Sequence, residues 1–65
     1  MLKELRRKQG LTQNEIAKKL NVRQNTYSMW ESGSSRPRMI NTLFLLASVL
    51  NVSINTIVDC FRRAN

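Results

Sequence analysis

Residues 11–33 read LTQNEIAKKLNVRQNTYSMWESG, and the fold turns on this stretch. Thr12 and Glu15 precede an apolar pattern with helical spacing. A Thr hydroxyl at that position can accept a hydrogen bond from the Glu15 N–H, while the Glu15 carboxylate reaches back to the Thr12 N–H. That reciprocal pair is the capping box that opens a helix. Ile16, Ala17 and Leu20 recur on one face, and Lys18 and Lys19 point away from it. Asn21 follows where the helix should end, and Asn tolerates the left-handed backbone that ends helices. Only Asn21, Val22 and Arg23 intervene before a second helical pattern, from about Gln24 to Ser32. Tyr27 and Trp30 face inward there, leaving Gln24, Asn25, Ser28 and Met29 on the outer side. Gly33 stops it.

Working outward, Leu2 and Leu5 share a helical face among Lys3, Glu4, Arg6, Arg7 and Lys8, so a short helix precedes the motif. Gly10 breaks it. Ser34 to Arg38 form a loop in which Pro37 holds Arg36 extended. A fourth helix follows, with Ile40, Leu43, Phe44, Leu46, Ala47 and Leu50 expected inside. Such an apolar circumference suits a central helix. Asn51 and Val52 repeat the Asn21–Val22 exit, and Ser53 caps a fifth helix. Ile54, Ile57 and Val58 are expected to close the core there. No segment has the alternation of a strand, so the expected class is all-α, with five helices in one domain over residues 1–65.

Composition narrows the function. Eleven Lys and Arg against four Asp and Glu give a net charge of +7, which favours an anionic partner. Nucleic acid, a membrane surface and an acidic protein all meet that description. Histidine is absent and there is one cysteine. Those counts exclude the Cys/His zinc spacings and any His-based catalytic arrangement, so no catalytic residue, metal or cofactor is expected. Cys60 has no partner for an intramolecular disulfide, which points to a reducing, cytoplasmic setting. It reads as inert packing in an apolar helix. No apolar run approaches the roughly 18 residues of a membrane span, and no apolar segment follows the N-terminal charges as in a signal peptide.

Two short helices joined by three residues, the second with a polar outer face, make the helix-turn-helix pattern over about residues 12–32. Spacing alone is a weak signal, and the residue types strengthen it. The chain resembles the lambda-repressor-like, Cro/C1-type (XRE) helix-turn-helix family from Leu2 to Val58. The resemblance rests on Leu11-Thr12-Gln13, on Glu15-Ile16-Ala17-Lys18-Lys19-Leu20, on Val22, and on Gln24 through Gly33. It continues in Arg36-Pro37, Leu46-Ala47, Leu50-Asn51-Val52-Ser53 and Ile57.

The resemblance implies a compact five-helix bundle that binds double-stranded DNA in the nucleoid, usually as a homodimer on an inverted-repeat operator. It implies a sequence-specific regulator, foremost a repressor, with the third helix in the major groove. Gln13 matches a phosphate-contacting position. Gln24 and Asn25 match the start of the recognition helix, where their amides suit adenine N6 and N7. Ser28 and Met29 lie one turn on, and Met29 could touch a thymine methyl. Arg6 and Glu31 match a structural ion pair between the first and third helices. Arg23 departs from a usual Ser or Thr cap but can reach a phosphate, as can Arg36 and Arg38. Met39 likewise replaces a usual cap. Phe61 lies beyond the matching pattern and is the candidate for an exposed dimer anchor; the alternative is that it folds back on the first helix and the dimer forms only on DNA.

The same chemistry would serve an antitoxin, a phage switch or a restriction controller, and these residues do not separate those settings. A protein-interaction module of the same fold is the reading from another class, and Gln24, Asn25 and the nearby arginines argue against it. A signal would reach such a protein through a regulatory partner, proteolysis or its own concentration.

Overall fold

A computed structural model of the chain describes residues 2–63. Five α-helices follow one another: α1 (Leu2–Lys8), α2 (Gln13–Leu20), α3 (Gln24–Ser32), α4 (Ile40–Leu50) and α5 (Ile54–Arg63). The described residues contain no strand. Among them no single helix is long and apolar enough to cross a membrane.

The helix boundaries follow from the capping chemistry. The Glu15 N–H donates to Thr12 Oγ1 at 3.1 Å, and the Thr12 N–H donates to Glu15 Oε1 at 2.8 Å. The backbone hydrogen bond from Thr12 holds the Glu15 carboxyl below its usual range. At the other end of α2, Asn21 takes the left-handed conformation at φ 58°. Its N–H bonds back to the Lys18 carbonyl at 3.1 Å, and the Val22 N–H to Ala17 at 3.0 Å. The exit from α4 repeats this arrangement. Asn51 also has φ 58°, and the Val52 N–H bonds to Ala47 at 3.0 Å. Both pairs close the last turn by satisfying carbonyls that lack a helical donor. Val22 and Val52 then tuck against the core as the chain leaves each helix. Ser53 caps α5 through its Oγ, which accepts from the Thr56 N–H at 3.3 Å.

The core joins α2, α3, α4 and α5 around Ile16, Tyr27, Leu46, Leu50 and Ile57, none of which reaches solvent appreciably. Leu2 of α1 covers one side. Tyr27 and Trp30 stack edge to face, with centroids 6.0 Å apart and planes at 71°, a favoured aromatic geometry. Cys60 is buried beside this core. α4 packs on both α2 and α5.

Expectations at four apolar residues are overturned. Phe61 is buried, with 5% of its surface exposed, and belongs to the core cluster. It therefore cannot anchor a partner from the surface. Val58 lies at the edge of the buried stripe and is 38% exposed. The two lie three residues apart on α5, yet the core takes the Ile57–Cys60–Phe61 stripe and leaves Val58 beside it. On α4, Ile40 is 60% and Phe44 54% exposed, although both fit an inward pattern by type. Leu43, Leu46, Ala47 and Leu50 already fill the buried arc, and the i, i+4 pair Ile40–Phe44 lies outside it.

Candidate nucleic-acid interface

The turn sets the geometry of the α2–α3 unit. Asn21 reverses the chain through its left-handed backbone, Val22 inserts against the core, and Arg23 restarts the helix from an extended conformation at ψ 147°. Arg23 makes no side-chain cap, so its guanidinium is left exposed beside the first turn of α3. Gly33 ends α3 at φ 86°, a conformation that a side chain would strain. Its N–H and that of Ser34 both turn back to the Met29 carbonyl.

Burying Tyr27 and Trp30 fixes which side of α3 faces out. Gln24 and Asn25 are exposed in the first turn, Ser28 is half-buried, and Met29 is exposed one turn on. No acidic residue stands among these four positions. Arg36 and Arg38 are exposed in the loop after α3 and line an open groove with Arg62. None of these three guanidiniums has an ion-pair partner among the described residues.

The inner side of α3 is tied down through Glu31. Arg6 Nε donates to Glu31 Oε2 at 2.6 Å, and Arg6 Nη2 reaches Glu31 Oε1 at 3.4 Å. Arg6 Nη1 also donates to the Leu11 carbonyl at 2.7 Å. Gln13 Nε2 donates to Glu31 Oε1 at 3.0 Å. One carboxylate thus joins α1, the start of α2 and the end of α3. Burial alone would raise the Glu31 carboxyl, but the hydrogen bonds from Arg6 and Gln13, with the neighbouring Tyr27 hydroxyl and the Arg6 charge, outweigh it and hold the group below its usual range. The Arg6 guanidinium is raised by its hydrogen bond to Glu31, against the cost of its own burial. The Tyr27 hydroxyl is buried against this pair without a well-formed hydrogen bond. Burial pushes its ionisation far above the ordinary tyrosine range, with the Glu31 carboxylate adding to the shift.

The family resemblance implies a phosphate contact for Gln13. Its amide also donates to Glu31, leaving one N–H and the carbonyl oxygen for other partners. Nothing in the local sequence signals that link, because its partners stand 18 positions apart. The Arg6 bond to the Leu11 carbonyl was equally hidden.

The whole arrangement is that of a helix-turn-helix, and a family model of that description matches residues 2–57. The chain belongs to the Cro/C1-type helix-turn-helix family. It is a DNA-binding helix-turn-helix protein of the regulator class. No curated protein and no solved structure matches it. The five-helix architecture is the lambda-repressor-like one. α2 and α3 are the two helices of its helix-turn-helix.

Proposed function

We propose that this helix-turn-helix protein is a cytoplasmic, nucleoid-associated transcriptional repressor that binds an inverted-repeat operator as a homodimer. The observation that carries the reading is the outer face of α3. Gln24 and Asn25 are exposed in its first turn, and the Glu31 cluster holds the opposite side rigidly. A recognition helix enters the major groove with its N-terminal residues against the base edges. Amides there suit bidentate pairing with adenine. Ser28 extends the polar face. Met29 offers an apolar surface that complements a thymine methyl.

Arg23, Arg36 and Arg38 supply phosphate contacts on either side of α3. The free N–H of Gln13 supplies another at the positive end of the α2 dipole. One recognition helix reads too few base pairs to select a site in a genome, so two copies related by a two-fold axis are required. Repression needs no more than occupancy of a promoter. Selection of bound duplexes from random DNA tests the whole reading. The expected result is an inverted repeat with half-sites about 34 Å apart. A footprint over a single asymmetric half-site would overturn the dimeric operator.

A further inference from the structure

A groove opens where the loop after α3 meets α4 and α5. Its volume of about 630 Å³ lies within the range of ligand-binding clefts. Three guanidiniums line it: Arg36 and Arg38 from the loop, and Arg62 from the end of α5. No acidic residue lines it, and none of the three has an ion-pair partner among the described residues. Pro37 accounts for the way the loop presents its pair. Its ring is buried, and it holds Arg36 extended. Successive side chains of an extended chain point to opposite sides. With Pro37 turned in, Arg36 and Arg38 are both turned out. The same groove has an apolar part, formed by Val58, which is 38% exposed, and the half-buried Leu43.

These features together select the occupant. The planar fork of a guanidinium pairs with carboxylates and phosphates alike. A sugar–phosphate backbone would use the cations alone, since it has no apolar side group to lay on Val58 and Leu43. A bilayer is flat and does not follow a concave apolar surface. Small-ligand sites enclose most of their ligand, and this groove is open. A peptide chain meets every condition. Its acidic side chains can reach arginines supplied by two separate segments, its apolar side chain can rest on Val58 and Leu43, and its main chain can stay in water. Arginine clusters are a recurring means of holding acidic motifs. The net charge of +7 draws such a partner in.

We propose that this groove seats an acidic segment of a partner protein, with carboxylates on Arg36, Arg38 and Arg62 and an apolar side chain on Val58 and Leu43. The consequence for regulation rests on the DNA-binding reading above, in which Arg36 and Arg38 contact phosphates. Segment and operator then compete for the same two guanidiniums, and arrival of the partner releases the DNA. Arg62 and Val58 belong to the segment alone.

Fluorescein-labelled peptides Glu-Glu-X-X-Glu-Glu, with X as Leu, Phe or Trp, are the probe, titrated by anisotropy against the full chain. At least one should bind and should displace a duplex as it does so. The control Glu-Glu-Ser-Ser-Glu-Glu should bind about tenfold more weakly, because it leaves the apolar part uncovered. Val58→Ser and Arg62→Gln lie at exposed positions and should fold like the parent. Each should weaken the peptide by about threefold or more and leave affinity for duplex essentially unchanged. The assignment is overturned if no peptide of the series binds, if the Ser control binds as well as the others, or if neither variant weakens binding. Decanoate bound in place of the peptides, with the same dependence on Val58 and Arg62, would overturn it in favour of a small amphiphilic anion. Peptide and duplex bound together would overturn the competition. A parent that binds peptide with these dependences but binds no duplex would instead strike the DNA-binding reading and leave the groove's occupant standing.

Discussion

Glu31 accepts from Arg6 and Gln13 at one point between three helices, with its side chain almost out of solvent. Removing one member of such a pair leaves an uncompensated buried charge. Glu31→Gln should therefore cost on the order of 3 kcal/mol in chemical denaturation. The pair also makes stability pH-dependent. The Glu31 carboxyl is depressed below its ordinary value of 4.5. Its contribution is present above that value and is lost as pH falls through the lower folded-state value. Melting temperature should thus drop in acid beneath pH 4.5, and the Glu31→Gln variant should lose that part of the acid sensitivity. At the outer side of α3 the expected signature differs. Gln24→Ala or Asn25→Ala should each cost about 1–3 kcal/mol on the selected site and relax choice at one or two base positions. Binding to random duplex should hardly change. Retention of the parent's sequence preference by both variants would place base reading elsewhere.

The elements stand on their ends. α2 has eight residues and α3 nine, lengths at which an isolated helix is marginal in water. Caps and packing must supply what length does not. Thr12→Ala removes the hydroxyl that accepts from Glu15 and should cost about 0.5–2 kcal/mol. Asn21 and Asn51 carry a different burden, because both sit at positive φ. Replacing either by Ala should destabilise by about 1 kcal/mol, whereas Gly should be neutral or slightly stabilising. Thermal melts of the four variants would show it. If Ala and Gly behaved alike at both sites, the left-handed exits would not matter to stability. The Asn–Val repeat was legible in the chain because each residue acts locally: Asn supplies the backbone conformation and Val the plug that follows. The inner and outer sides of α4 were less legible. With no charge along that helix, periodicity had little contrast to work with, and Ile40 and Phe44 read as interior residues.

Across the whole molecule, the proposed function makes the positive charge and the outer face of α3 parts of one binding event. If about five phosphates are contacted per protomer, the logarithm of affinity should fall with the logarithm of salt at a slope of about −4 to −5. Arg36→Ala or Arg38→Ala should each reduce the slope by about one and weaken all sequences alike. Fluorescence titrations at several salt concentrations would measure both. A slope near zero would contradict phosphate contacts altogether. The described residues fill a body only 24 × 22 × 21 Å across, so a half-site spacing of about 34 Å requires two copies.

By itself the sequence determined the helices, their caps, the three-residue turn and the polar outer face of α3. Each is a local property, fixed by residues within about four positions of one another, and so is readable from spacing and side-chain chemistry. The likeness of Leu2 to Val58 to one family extended that reading to the Arg6–Glu31 pair, which 25 intervening positions would otherwise have hidden. Only the tertiary structure decided where Gln13 directs its amide, that Phe61 goes into the core and Val58 out of it, and that α4 turns Ile40, Phe44 and Leu45 to solvent. Those outcomes depend on which arc of each helix its neighbours cover. That is set by how five short helices share one small core, and the type of an apolar residue does not encode it.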